Sequence, residues 1–159
     1  MPNWIEGTIK LRGNSEDLKR FFAEGIEPAR DVYGRDQKTI ADSIECNFGE
    51  YNEVIIKDEL HIKGTRRAFI QNCCVVWDRA YAIVYMPIRQ AWAFCGDEND
   101  RNRWVEISRQ FKLDIRLYGF ECGMEFCQEV EIIDGEIAMS NEITYDNWAW
   151  ECPMPSMGG

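Results

Sequence analysis

The residues of this chain that could bind a metal or act as a nucleophile or base are first of all seven cysteines and a single histidine. The cysteines are Cys46, Cys73, Cys74, Cys95, Cys122, Cys127 and Cys152, and no two of them are spaced C-x-x-C. A structural zinc site takes four ligands at short spacings, and a nucleophilic cysteine needs a base nearby to form its thiolate. His61 is the one imidazole, and it alternates with Leu60 and Ile62, which is typical of an outward strand position. We therefore expect free thiols in a reducing compartment, with no metal and no cofactor.

Carboxylates are concentrated at the C-terminal end of the sequence. Residues 113–159 contain ten acids and one base, Arg116, for a net charge of -9, whereas residues 1–112 have a net charge of -1. Such an asymmetry disfavours binding of a phosphate backbone by the acidic region, so direct contact with nucleic acid is not expected. It favours a basic partner, or it simply keeps the chain soluble.

The densest acidic stretch, EFCQEVEIIDGEI at 125–137, has an acid at almost every second position. Its Asp-Gly pair suits a tight hairpin turn. Alternation would place Met124, Phe126, Val130 and Ile132 on one face of the strand, and Glu125, Cys127, Glu129 and Glu131 on the other. Glu129 and Glu131 would then lie about 7 Å apart in a loose outward ladder. The predicted partner-binding residues are Glu121, Glu125, Glu129, Glu131, Asp134 and Glu136.

Catalysis by these carboxylates would need a cleft that perturbs their pKa values. Outward strand positions predict solvation instead. The chain also lacks the sequence patterns G-x-G-x-x-G, G-x-x-x-x-G-K-[ST], H-E-x-x-H and G-x-S-x-G. We predict that the protein is not an enzyme.

GTRRAF, at 64–69, is the best candidate for an anion site. Thr65, Arg66 and Arg67 would surround a turn whose backbone amides could face a phosphate. In the alternative interpretation, Phe69 packs inward and the arginines pair with the many carboxylates of the chain.

The elements that would carry these residues follow from hydrophobic periodicity. Alternation predicts strands at 5–12 and at 113–118, the second directly after a helix at 97–112. A helix is also predicted at 14–25, with Gly25 as its end. The order strand, helix, two strands, helix, strands favours an α+β sandwich. In it, a mainly antiparallel sheet carries both helices on one face and leaves the other to solvent or a partner.

Short elements are predicted through the middle of the chain, at 40–46, 53–57, 60–63, 66–70 and 80–86. Asp58-Glu59 should turn between the second and third of these, and Pro87 should end the last, which reads as a buried apolar strand. The stretch 26–51 otherwise reads as a long connection.

A family resemblance rests on the order of several residues: PNW at 2–4, Gly7-Thr8, Gly13, Pro87, Trp92, LDIRLYGFECGMEF at 113–126 and the later DG hairpin. This order resembles the Api92-like, YubB ferredoxin-like family, whose members are usually carried by phages, plasmids and integrated elements. The length of the chain fits a single α+β domain over 1–159. The resemblance implies a ferredoxin-like core, with a tail at 151–159 outside the basic pattern. It supplies no catalytic residues.

The first functional hypothesis joins this resemblance to the charge. Small acidic phage accessory proteins often resemble inhibitors of host defence, including anti-CRISPR proteins. The acidic ladder would compete with nucleic acid for a basic groove of a bacterial defence protein, such as a Cas9-type nuclease. The first residues do not show a basic segment followed by an apolar run, and no run reaches about 18 apolar residues, so we expect the host cytoplasm and no membrane contact.

The second hypothesis is a binding protein of another class. A nucleotide-binding sponge, or a self-associating structural module, would use Arg66, Arg67 and the tryptophans to line a pocket. Salt discriminates between the two hypotheses, because acidic docking weakens as ionic strength rises whereas an apolar contact changes little.

Overall fold

The computed structural model describes residues 3–29 and 39–159, and it shows an α+β protein dominated by antiparallel sheets. The described strands are β1 (Trp4–Asn14), β2 (Ile26–Pro28), β3 (Ile44–Phe48), β4 (Asn52–Ile56), β5 (Leu60–Ile62), β6 (Ala68–Ile70), β7 (Cys73–Trp77), β8 (Tyr81–Ala91), β9 (Asp114–Glu121), β10 (Phe126–Ile133) and β11 (Glu136–Thr144). The described helices are α1 (Ser15–Glu24), α2 (Ile40–Ser43), α3 (Glu98–Phe111) and α4 (Trp148–Glu151).

An eight-stranded antiparallel sheet is the main layer, with the strand order β11-β10-β9-β1-β8-β6-β5-β2. A smaller sheet has the order β3-β4-β7. The helices α1 and α3 pack together on one side of the large sheet, where the rings of Phe21 and Phe111 meet edge to face at 5.4 Å. Leu18 and Trp104 join the same buried cluster as Ile9 of β1. The opposite side of the large sheet carries no helix of the main core.

Both main helices begin and end where local chemistry predicts. Asn14 is the N-cap of α1, and Gly25 follows its last turn. The carboxylate of Asp97 accepts a hydrogen bond from the backbone N–H of Asp100 at 2.8 Å and so caps α3. Lys112 then ends α3 in the left-handed conformation, with φ 53°. The two helix predictions are confirmed.

A glycine pair lets the central strands of the large sheet receive a large side chain. Gly7 of β1 lies opposite Gly119 of β9. A Cβ atom on Gly7 would lie 1.9 Å from the carbonyl oxygen of Tyr118, and one on Gly119 would lie 2.8 Å from the ring of Phe94. Phe94 is fully buried in the space that Gly119 leaves, while Gly7 allows the backbone of β9 to approach closely.

The predicted strands at 53–57 and 60–63 form, and the chain bends between them at Asp58, but the two strands do not pair with each other. β4 joins the small sheet between β3 and β7, and β5 joins the large sheet between β2 and β6. The reason is non-local: Val54 and Ile56 of β4 are buried beside β7, which periodicity alone did not identify as a strand. The predicted connection at 26–51 holds β2, α2 and β3, while its residues 30–38, like Pro2 of the PNW motif, lie outside the described part of the chain.

β8 continues through Pro87 to Ala91, so the predicted strand end at Pro87 is wrong. Pro87 lies opposite Thr8 of β1, and the pairing of β8 with β6 begins only at Ile88. The missing N–H of Pro87 therefore falls where β6 does not extend. The exposure of β8 also alternates, so it is a half-buried strand and not a fully buried one.

The last residues fold back over the side of the large sheet that lies opposite α1 and α3. We call residues 145–159 the C-terminal strap. The N–H of Gly159 donates to the carbonyl of Trp4 at 2.8 Å, and the thiol of Cys122 donates to the carbonyl of Gly158 at 2.9 Å. Trp148 and Cys152 of the strap form a second small core with Cys127. The tail at 151–159 is thus part of the packed structure. Among the described residues, no helix is long and apolar enough to cross a membrane.

Candidate protein-binding surface

The candidate surface is the part of the large sheet that neither helices nor the C-terminal strap cover, which we call the open face. The strand register aligns one row across it: Tyr85 of β8, Lys10 of β1, Arg116 of β9, Glu131 of β10 and Met139 of β11. Five adjacent strands span about 19 Å at the usual strand spacing. The row changes from aromatic to basic to acidic before it reaches the edge of the sheet.

Three large side chains form a column along β8 on this face. Tyr81 is 55% exposed, Ile83 is 60% exposed and Tyr85 is 71% exposed. They alternate with Ala82 and Val84, which are buried in the main core. Sequence reasoning missed this column because both faces of the strand are apolar, so an alternating strand looks like a continuous buried run. The one available signal was the two tyrosines at alternate positions.

Basic side chains occupy the centre of the open face, and two of the three are paired. Arg12 donates two hydrogen bonds to one carboxylate oxygen of Asp114, at 2.9 and 2.7 Å. This hydrogen bonding and the charge of Asp114 raise the pKa of Arg12. Arg116 donates to Glu129 at 2.5 Å and lies 3.6 Å from Glu131. Lys10 is exposed and has no ion pair among the described residues, so it is the base most available to a partner.

The predicted acidic ladder is only partly present. Glu129 and Glu131 do share the open face, as alternation predicts, but Arg116 forms an ion pair with each of them. Cys127, expected to face water beside them, is instead fully buried beneath the C-terminal strap. The prediction of a fully outward, solvated ladder of carboxylates is therefore wrong.

Glu121 is fully buried and must be removed from the predicted contact residues. Its carboxylate accepts hydrogen bonds from the backbone N–H groups of Gly123 at 2.9 Å and Met124 at 2.6 Å. The side chain therefore closes the β9–β10 turn. Met124, expected to pack inward, lies in that turn and is 69% exposed.

The other three predicted acids are exposed at the ends of the hairpin. Glu125 lies in the β9–β10 turn with φ 57°, while Asp134 lies in the β10–β11 turn with φ 51° beside Gly135. Glu136 begins β11 and is exposed. The predicted Asp-Gly turn is confirmed. All three carboxylates are accessible, but Asp134 and Glu136 lie at one end of β10 and Glu125 lies at the other.

The predicted anion site at 64–69 uses its hydroxyl internally. Thr65 is buried, donates to the carbonyl of Ile62 at 2.6 Å and accepts from the N–H of Ala68 at 3.2 Å. Arg66 and Arg67 are exposed, and the guanidinium of Arg67 lies 5.2 Å from the ring centre of Trp4. Thr65 is thus a turn residue, and the two arginines remain as the accessible part of the site.

The tryptophans do not line one pocket. Trp77, Trp104 and Trp148 are buried, the last in the second core and the other two in the main core. Trp150 is 85% exposed, and Trp92 is 53% exposed with a left-handed backbone, φ 72°.

His61 lies on an outward strand position, as predicted, and contacts two polar side chains. Its Nδ1 atom lies 2.9 Å from Glu27, and its Nε2 atom lies 3.4 Å from the Thr65 hydroxyl. Burial raises the pKa of the Cys73 thiol to about 11 and that of Cys95 to about 12, which disfavours their thiolates. No group of three or more His, Cys, Asp or Glu side chains in residues 3–29 and 39–159 could hold a metal ion.

Comparison with known proteins identifies no relative of this chain. No protein-family model, curated protein or solved structure matches the chain.

Proposed function

We propose that this protein is a non-enzymatic binding protein whose open face docks on another protein. The observation that carries the proposal is the column of Tyr81, Ile83 and Tyr85, each more than half exposed on the same side of β8. Clustered exposed apolar side chains are uncommon on soluble proteins without a partner. Tyrosine and arginine are also enriched at the energetic centres of interfaces. Arg12 lies beside Ile83 of this column, and Arg116 lies one strand further away on β9.

The partner in this proposal has a cationic surface. Residues 117–159 contain no lysine, arginine or histidine, and the whole chain has a net charge of -10. Several exposed acids of this region form no ion pair with another described residue, namely Glu125, Asp134, Glu136, Glu142 and Asp146. Complementary charge speeds encounter and selects partners, while the apolar column supplies contact area.

The more specific form of the proposal uses the family resemblance. The protein would be a ferredoxin-like accessory protein of a phage or mobile element, acting in the cytoplasm of a bacterial host. It would inhibit a defence system in the manner of an anti-CRISPR protein, by occupying a basic groove of a Cas9-type nuclease that otherwise holds nucleic acid. The acid excess and the order of the quoted sequence motifs support this form.

A DNA-cleavage assay with a guide-loaded Cas9-type nuclease tests the proposal. We expect the wild-type protein to inhibit cleavage and the inhibition to weaken as salt is raised. Tyr85→Ser should weaken inhibition, whereas Tyr51→Ser, a matched change at an exposed tyrosine near the small sheet, should not. Absence of inhibition at every salt concentration would exclude this class of nuclease. An equal loss of inhibition in both variants would show that the open face is not the docking surface.

A nucleotide-binding sponge is the second candidate, and one observation favours it. The guanidinium groups of Arg67 and Arg89 lie 5.2 and 4.6 Å from the ring centre of Trp4, which joins cations and an aromatic surface at one end of the sheet. Such a cluster can hold a phosphate and a base. Isothermal titration with cyclic and linear nucleotides tests this function, and the absence of heat with all of them would remove it.

A further inference from the structure

The outer edge of β11 is a long strand edge with no partner strand among the described residues. β11 has nine residues, pairs only with β10 and ends the eight-stranded sheet. None of its residues is buried, and within the described part of the chain no backbone hydrogen bond links residues 136–144 to a segment other than β10. At the rise of an extended strand this edge is about 30 Å long. It presents a row of backbone donors and acceptors to solvent.

Proteins usually protect such an edge, and β11 has few of the usual protections. Edge strands are commonly short, or they carry lysine, proline or a bulge. β11 contains neither lysine nor proline. Its pairing is irregular only near the turn, where the register shifts between Glu131 and Ile132 of β10 and leaves Ala138 as the extra residue. The stretch from Met139 to Thr144 keeps a regular register and is available along its outer side.

The charge at this edge selects among possible strands. Glu136 and Glu142 are the charged residues of β11, and both are exposed without an ion pair among the described residues. No base occurs from residue 117 to the end of the chain. Opposite charges on neighbouring strands stabilise pairing and like charges oppose it. A second copy of this chain, with its own net charge of -10, is therefore disfavoured at this edge.

We propose that β11 binds an extended, lysine- or arginine-rich segment of a partner protein, which adds to the sheet as a further strand. Main-chain hydrogen bonds would supply affinity, and Glu136 and Glu142 would select basic side chains at the positions beside them. This inference rests on the proposed function and deepens it, because it names the chemistry of one partner segment. It uses the sheet edge, whereas the apolar column on β8 lies on the open face four strands away.

A fluorescence anisotropy titration with the full chain tests the inference. The probe is a labelled seven-residue lysine-valine peptide, blocked at both ends, with lysines on both faces of the extended strand. Both faces are needed because the extra residue Ala138 places Glu136 and Glu142 on opposite faces of the sheet. We expect saturable binding of this peptide and none of a glutamate-valine analogue. The double variant Glu136→Lys and Glu142→Lys should bind the basic peptide on the order of tenfold more weakly, since two cross-strand charge pairs are reversed. Glu50→Lys with Glu106→Lys changes the net charge equally at exposed sites elsewhere and should leave affinity nearly unchanged.

Backbone methylation separates strand addition from simple charge attraction. Two further basic peptides carry N-methyl groups on alternate amides. In the first peptide the methyl groups lie along one edge of the extended chain, and in the second they lie along the other edge. We expect one of them to lose binding, because its methyl groups block the hydrogen bonds to β11. Equal binding of the unmethylated peptide and both methylated peptides would overturn the proposal. So would sedimentation showing that the free protein dimerises through β11, with dimerisation lost in Ser140→Pro or Asn141→Pro.

The inference and the proposed function fail in different ways. Tyr85→Ser should weaken nuclease inhibition and leave peptide affinity unchanged. An inhibitor that acts through the open face but does not bind the basic peptide would overturn only the edge proposal. Peptide binding without nuclease inhibition would overturn only the nuclease as partner.

Discussion

Arg116 Nη2 on β9 lies 2.5 Å from Glu129 Oε1 on β10. The one base of the acidic region, residues 113–159, is therefore already paired with a carboxylate of that region. The same guanidinium lies 3.6 Å from Glu131. This arrangement divides the acidic region into a neutralised part on the open face and an unpaired part at the hairpin ends and along β11. Removal of Arg116 would restore the continuous acidic surface that alternation alone predicts.

Arg116→Ala tests what this pairing does. The groups are partly exposed, so we expect the free energy of unfolding to change by no more than about 1 kcal/mol. The freed carboxylates of Glu129 and Glu131 should raise the association rate with the lysine-valine peptide at low salt. Arg79→Ala is the matched control, since Arg79 is exposed in the β7–β8 connection. Urea unfolding and stopped-flow fluorescence measure the two effects, and an equal rate increase in both variants would show a general charge effect.

The C-terminal strap offers a matched pair of tryptophan substitutions. Trp148 is 6% exposed and its indole donates to the carbonyl of Pro155 at 2.8 Å, whereas Trp150 is 85% exposed. We expect Trp148→Ala to lower the free energy of unfolding by about 3–5 kcal/mol through loss of packing in the second core. Trp150→Ala should change it by less than about 0.5 kcal/mol. Denaturant unfolding measures both, and similar values would contradict the packed position of the strap.

The glycine pair at the centre of the sheet predicts a second stability difference. A Cβ atom on Gly7 would meet backbone at 1.9 Å, so Gly7→Ala must displace β1 from β9. We expect a loss of about 1–3 kcal/mol or more in the free energy of unfolding. Gly49→Ala is the control, because no atom lies within 4 Å of the added carbon. Thermal unfolding that shows equal effects would contradict the close approach of the central strands.

Asp100 predicts a pH dependence of stability. Burial raises the pKa of this carboxyl group, the nearby charge of Asp97 raises it further, and Arg66 and Arg103 oppose the shift. The native state therefore holds the proton more tightly than the unfolded state does. Its contribution makes stability fall as pH rises from the unfolded pKa, about 3.9, through the native pKa.

Asp100→Asn removes that titration. We expect the stability of the variant relative to the wild-type protein to increase as pH is raised from about 3 to 6, across the ordinary carboxyl range. Asp78→Asn, at an exposed position, is the control for a general change in charge. Unfolding free energies over this range measure the difference. A difference that is constant with pH, or that falls as pH rises, would contradict the raised pKa.

The cysteines predict an order of labelling by a thiol reagent. Cys46 and Cys74 are exposed, whereas Cys95, Cys127 and Cys152 are buried. Burial also raises the pKa of the Cys127 thiol to about 11, and the neighbouring Cys152 adds to the effect. We expect the exposed pair to react first in the native protein and the buried three to react only on unfolding. Mass spectrometry of labelled peptides identifies the sites, and rapid labelling of Cys127 would contradict its burial.

Features that depend on neighbouring residues in the chain followed from the sequence alone. Apolar spacing determines α1 and α3, and the Asp97 side chain also caps α3. Alternation determines β1 and β9, and Asp134-Gly135 adopts the positive φ angles that its tight turn requires. Each of these involves contacts within a few residues, where side-chain period and turn chemistry decide the backbone conformation.

Tertiary structure decided what covers each face and which strands meet. β4 and β5 are separated by few residues but belong to different sheets, because their partners β7 and β6 arrive from later in the chain. Alternation correctly placed Cys127 with Glu129 on one side of β10, but only the C-terminal strap, folding back from distant sequence, made the first buried and left the second accessible. Side-chain direction is a local property of a strand. Exposure and charge pairing, by contrast, depend on which remote segment packs against it.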